Sequence, residues 1–276
     1  MDFNTKNIQQ QYQGFLNTAL LWTNRLQGLQ QLELPAIQTT IFEGAITQNP
    51  RLGKRVESFV SCYLRQYNCI EIIQENIQIQ HGNRTIGEID CLLLENQIPT
   101  HLEIVYKFYL YDNTHGASEI EHWIGPNRND SLQQKLDKLS TKQLPLLYKT
   151  ACEPLLEELQ MDVTIIEQKV YFKAQLFVPY ANQQVPFKLL NSAAACGFYI
   201  HQQEMHHFSD CKFYIPTKLN WLVEPYTQVD WLHFTTFEKQ VAEILDQKTS
   251  PLCWMKQQNG EISKFFITWW VAEPLL

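Results

Sequence analysis

The chain is poor in the features that mark special protein classes. Its 276 residues include 10 glycines and seven cysteines, and none of Cys62, Cys69, Cys91, Cys152, Cys196, Cys211 and Cys253 falls in a CxxC pair. That excludes a zinc-ribbon framework. The odd count, and the apolar surroundings of Cys62 and Cys91, favour buried free thiols over a disulfide scaffold. No apolar run reaches the eighteen or so residues of a membrane span, so no membrane partner is expected. The opening MDFNTKNIQQQYQ is polar and lacks a signal-peptide core, which makes the expected location cytoplasmic. Walker spacing and the GxSxG elbow are absent, and His201, Glu204, His206 and His207 fit neither HExxH nor HxxEH. Charged residues make up 18%, and the formal net charge is -7, which argues against a simple nucleic-acid coat. Basic residues nevertheless cluster at Arg51, Lys54, Arg55 and Arg65, and again at Arg128, Lys135, Lys138, Lys142 and Lys149. Each cluster reads either as a basic rim or as a solvated helix face.

What the chain does have is core material. A 45% hydrophobic and 12% aromatic content supports a large folded core and opposes disorder. Apolar spacing of three and four predicts a helix from about Ile8 to Leu32 and a second from Leu52 to Tyr67. Between them, 37–49 is ambiguous, with Gly44 and Pro50 as punctuation. Three strands follow, at Cys69–Gln80 with a kink near Glu75 and Asn76, at Thr85–Leu94 and at Thr100–Leu110. His81, Gly82, Asn83, Asn96, Gln97 and Pro99 mark the turns between them. Asp130 or Ser131 is placed to cap a following helix, and Val170–Val178 reads as a strand. Beyond Asn182 the pattern predicts a short helix at Leu189–Ala195 and strands at Phe198–Ile200, Phe213–Ile215 and Phe265–Trp270. Trp221, Trp231, Trp254, Trp269 and Trp270 make this part aromatic-rich.

The chemistry concentrates in TIGEIDCLLLENQIPTHLEIVYKFYLY, from Thr85 to Tyr111. Side chains alternate along a strand, so Glu88 and Asp90 are expected on one face of the first strand, and His101, Glu103 and Lys107 on one face of the second. An antiparallel hairpin can gather these acids beside a cation. Grouped carboxylates suit Mg²⁺, and a nearby lysine can orient a water. Asp90, between Ile89 and Cys91, needs a compensating partner if buried. The simpler reading is a cross-strand ion pair with Lys107. His101 is read as a phosphate or water contact, or as a plain surface histidine. The loop GPNRNDS offers amides to a phosphate beside Arg128, or serves only as a turn and cap.

The order Asp, turn, Glu, Lys on adjacent strands resembles the PD-(D/E)XK nuclease superfamily, several branches of which use the wording GEID. Together with LGKRVESFV, WIGPNRNDSLQQKLDKL and IPTKLNWLVEP, it also resembles an uncharacterised bacterial family, domain-of-unknown-function family 1853, over most of the chain. The resemblance implies an α/β (α+β) fold with a restriction-endonuclease-like core of helix, three-stranded meander, helix and strand. The corresponding segments are an N-terminal helical piece over 1–50, the core over 51–200 and an aromatic-rich C-terminal extension over 201–276. It implies a Mg²⁺ (or Mn²⁺) nuclease in which Asp90, Glu103 and the Ile104 carbonyl hold the ion, Lys107 positions the water and Glu57 assists. Arg55, Arg128, Lys135 and Lys138 would grip nucleic acid, DNA ahead of RNA. Lys107 lies two residues beyond the usual lysine position, where Val105 stands. Three alternatives stay open: Lys107 reaches back, Lys135 takes its place, or the fold is a non-catalytic module that binds nucleic acid or protein.

Overall fold

The computed structural model describes residues 3–35, 41–44 and 50–271 of a mixed α/β protein. In chain order the elements begin with α1 (Phe3–Asn17), β1 (Arg25–Leu26), β2 (Leu29–Gln30), α2 (Leu52–Leu64), β3 (Ile70–His81), β4 (Arg84–Glu95) and β5 (Ile98–Tyr111). Next come β6 (Trp123–Ile124), α3 (Leu132–Lys138), α4 (Glu153–Glu158), β7 (Glu167–Pro179) and β8 (Ala195–His201). The last are β9 (Lys212–Tyr214), β10 (Leu232–His233), α5 (Phe234–Leu245), β11 (Leu252–Lys256) and β12 (Ile262–Thr268). Contacts divide the chain into two compact units. One comprises Leu20–Tyr106 and Gln134–Lys173, the other Met1–Ala19, Lys107–Gln133 and Ala174–Leu276. Each is assembled from separated stretches of the chain.

The unit containing Leu20–Tyr106 is organised by the meander of β3, β4 and β5, which pair antiparallel in sequence order. Its turns use the expected residues in the left-handed region: Gly82 has φ +60°, Asn96 +50° and Gln97 +67°. Helix α2 forms because its apolar residues recur at helical spacing, and it buries Val56, Phe59, Val60 and Leu64. A core of Ile77, Ile79, Ile89, Leu92, Leu146, Leu147, Cys152, Leu156 and Ile166 joins the meander to the turns after α3. Gly87 belongs to this packing, since a Cβ there would stand 2.5 Å from a Leu146 methyl. A side chain at this glycine of GEID would have to displace the Leu146 methyl.

The expected helix over Ile8–Leu32 is shortened. It stops at Asn17, and the apolar residues beyond it serve a small hairpin, β1–β2, turned by Gln27 and Gly28 with φ +47° and +84°. Within that stretch the Leu21 and Leu32 amides donate to the carbonyls of Phe172 and Val170, at 2.9 and 2.8 Å. Pairing with β7 thus overrides helical periodicity. Most of 37–49 lies outside the described residues.

In the other unit the strand order is β10, β9, β11, β12, β8, β7. The β7–β8 and β8–β12 pairs are parallel and the rest antiparallel. Phe198, Phe213, Phe237, Phe265 and Met255 build its core. The expected helix at Leu189–Ala195 contracts to a 3-10 turn at Ser192–Ala194. Sequence reading missed α5, although Phe237, Val241 and Leu245 recur every four residues and are buried. It also missed β11, whose apolar run LCWM is buried throughout.

Candidate active site

The β3–β4 ladder shifts register between Ile72 and Gln74 and between Ile79 and Gln80, and it also leaves one facing pair of residues unbonded. The β3–β4 ladder pairs Ile77 with Ile89 and Glu75 with Cys91, skipping Asp90 opposite Asn76, whose φ is +56°. On its other side, β4 pairs with β5 from Glu95–Ile98 to Cys91–Leu102 and stops one step short of Asp90 facing Glu103. Ile89 and Leu92 both enter the core shared with Leu146 and Leu147. Asp90 lies between them within the continuous strand β4, opposite Asn76 and without a ladder pair on either side. The Ile104 amide lies just beyond the last β4–β5 pair, Cys91–Leu102. It donates to Asp90 Oδ2 at 2.8 Å.

Glu103 is 0% exposed and both of its oxygens are engaged. Oε1 lies 3.0 Å from His101 Nε2, and Oε2 accepts from the Gln143 side-chain amide. The Gln143 oxygen in turn accepts from Lys135 Nζ at 2.7 Å. Behind His101, Gln168 Nε2 stands 3.4 Å from Nδ1 and donates to the Leu144 carbonyl at 2.6 Å. Buried carboxylates require this degree of satisfaction. His101 is fully buried, which corrects the reading of a surface or phosphate-facing histidine.

Burial pushes the Asp90 carboxyl up to about 7, and the Glu103 charge adds to it. The Ile104 amide and the Lys135 ammonium oppose the shift. Glu57 is also raised by burial, against the pull of Lys54. The Lys54 ammonium bridges Glu57 at 2.8 Å, Glu88 at 2.5 Å and Asn76 at 2.8 Å, and Gln78 donates to Glu88. These groups border a cleft of about 820 Å³ whose lining includes Ser61, Arg65 and Glu75.

The expected site residues separate into two groups. Asp90, Glu103, Ile104, Glu57 and Lys135 lie in one unit, linked by the bonds and charges described above. Lys107 belongs to the other unit, where its ammonium closes on Asp130 Oδ2 at 2.5 Å. Its salt-bridge partner is thus Asp130, where the simpler reading expected Asp90. Arg55 is 5% exposed and so does not present its guanidinium outward. Arg128 pairs with Asp112 at 3.1 Å and lies over the Trp270 ring, 4.7 Å from its centroid. Its loop is held by turn bonds from the Gly125 amide to the Asp130 carbonyl and from the Arg128 amide to the Gly125 carbonyl. Lys138 is exposed in the last turn of α3. His201 and Glu204 form a capping box, which accounts for both without zinc. Gln143 and Gln168 were missed. They are two among many dispersed glutamines, and no local pattern distinguishes them.

The donor set fits a hard divalent ion of the Mg²⁺ kind. Burial and the neighbouring Glu103 charge hold the Asp90 carboxyl toward its protonated form, and a cation beside it would offset both. Among the described residues no three His, Cys, Asp or Glu side chains group as a metal site. The shell would therefore need the Ile104 carbonyl, water and substrate oxygens, which is the usual habit of Mg²⁺.

Fold and site together define a mixed α/β protein with a carboxylate pair next to the end of the β4–β5 ladder. Residues 6–267 match the family described as Domain of unknown function (DUF1853), and the chain belongs to that family. No curated protein and no solved structure matches it. No described helix is long and apolar enough to cross a membrane.

Proposed function

We propose that this protein is a Mg²⁺- or Mn²⁺-dependent nuclease that hydrolyses phosphodiester bonds at a PD-(D/E)XK-like site, with DNA as the first substrate to test. The observation that carries the reading is the Asp90–Glu103 pair. It is gathered at the open end of the β4–β5 ladder, with the Asp90 carboxyl raised to about 7. Perturbed carboxyls of this kind cluster at functional sites. The element order from α2 through β7 also agrees with a restriction-endonuclease-like core.

Asp90, Glu103 and the Ile104 carbonyl are the residues that would hold the ion. When bound, such an ion lowers the pKa of a water and neutralises charge on the scissile phosphate. Lys135 replaces Lys107 as the lysine of the site. Its ammonium, tethered to Gln143, would orient the attacking water and stabilise charge developing on the phosphate. Glu57 supports the pair from α2, and exposed Lys138 on the same helix as Lys135 would contact a flanking phosphate.

A second reading, a non-catalytic nucleic-acid- or protein-binding module, is favoured by the net charge of -7 and by the engagement of both Glu103 oxygens. Calorimetric Mn²⁺ titration of the wild type, Asp90→Ala and Glu103→Ala tests the ion site. Cleavage of single-stranded, duplex and branched DNA and of RNA tests the chemistry. Metal-dependent turnover lost in both variants supports the nuclease. Nucleic-acid binding without turnover supports the module.

A further inference from the structure

We infer that Gln168 and His101 are positioning residues for Glu103, forming a relay of donors that fixes the orientation of its carboxylate. This rests on reading Asp90 and Glu103 as the cation-holding pair. The relay begins at a backbone carbonyl. Gln168 Nε2 lies 2.6 Å from the Leu144 oxygen. Two acceptors would not face each other at that distance, so the atom there is the amide nitrogen. The same nitrogen stands 3.4 Å from His101 Nδ1. A donor at that place requires Nδ1 to accept, which leaves the ring proton on Nε2. Nε2 is 3.0 Å from Glu103 Oε1, so the imidazole donates to the carboxylate.

Both members of the His101–Glu103 contact are 0% exposed, so water does not compete for it. The second oxygen, Oε2, accepts from Gln143. With one fixed donor on each oxygen, the plane of the carboxylate is pinned, and its remaining lone pairs keep one direction. The donors on this relay are a side-chain amide and an imidazole N–H, one on each oxygen of Glu103. Outer partners of ligating groups act in this way, and their loss typically weakens metal binding about 10- to 100-fold.

The test uses the full-length chain labelled with [¹⁵N]histidine. Long-range ¹H–¹⁵N correlation reads the tautomer of His101, assigned by its disappearance in His101→Gln. Calorimetry with Mn²⁺ alone reads affinity. The wild-type ring is expected with its proton on Nε2. Gln168→Leu is expected to shift the ring toward the other tautomer and to weaken Mn²⁺ about 10- to 100-fold. His101→Gln, whose amide nitrogen replaces the Nε2 donor, is expected within a few fold of the wild type, whereas His101→Leu loses the full factor. A wild-type ring protonated on Nδ1 overturns the relay, as does an unchanged tautomer and affinity in Gln168→Leu. If the wild type binds no Mn²⁺, the cation reading of the pair fails, and with it the positioning role. The tautomer then still reports whether the hydrogen-bonded chain exists.

Discussion

Replacing Asp90 by asparagine keeps an acceptor for the Ile104 amide and removes the titrating proton, which isolates the electrostatics of the pair. The Asp90 carboxyl is raised from its ordinary 3.8 to about 7, first by burial and then by Glu103. Between these values the native chain holds a proton that the unfolded chain has released. Stability therefore falls as pH rises through that window, by about 1.4 kcal/mol per pH unit, and levels off above pH 7. The whole loss is about 4 kcal/mol, an upper figure because partial hydration of the site weakens it. Urea unfolding in EDTA from pH 4 to 8.5 reads this directly. The wild type and Asp90→Asn should be closest near pH 4, and the variant should gain steadily on the wild type toward pH 8. Adding Mg²⁺ at 100 times its Kd should return about 2.7 kcal/mol to the wild type at pH 8 and little to the variant. Parallel pH profiles would show that Asp90 ionises as an ordinary aspartate, and the idea of two acids confined beside each other would have to be abandoned.

Three further outcomes follow from the structure. Lys135→Met should lower Mn²⁺-dependent cleavage at least about 100-fold, whereas Lys107→Met, tied to Asp130, should stay within a few fold; steady-state rates on DNA that reverse this order would reject the lysine assignment. Gly87→Ala should lose about 1–3 kcal/mol in urea unfolding because its Cβ meets Leu146, and the added change Leu146→Ala should restore part of the loss relative to Leu146→Ala alone. Lys264 is 6% exposed, and its ammonium donates to the Gln175 and Trp221 oxygens at 3.1 and 3.0 Å; burial lowers its pKa to about 8. The unfolded chain holds that proton up to the ordinary 10.5, so wild-type stability should carry a rising contribution from about pH 8 to 10.5 that Lys264→Met lacks, as read by the difference between their unfolding curves.

Strand length, turn positions and the kink near Asn76 were legible because each depends on residues close in sequence. Period-two patterning marked β3 and β4, and Gly82, Asn96 and Gln97 marked turns that need positive φ. Asp90 and Glu103 stood out because acids in apolar strands are conspicuous against their neighbours. The helix expected through Leu32 failed because spacings of three and four also serve a hairpin that pairs with β7, a partner about 140 residues away.

By itself the sequence determined that two acids would lie on adjacent strands of a meander, since alternation and short turns leave the chain little choice. It could not determine the company those acids keep. Lys107 and Lys135 are equivalent as letters, and only the folded backbone brought Lys135 to Gln143 and Glu103 while Lys107 closed on Asp130. The glutamines that satisfy the buried site were likewise invisible, because desolvation and hydrogen-bond geometry act through space. Those forces come into being only when distant segments pack together.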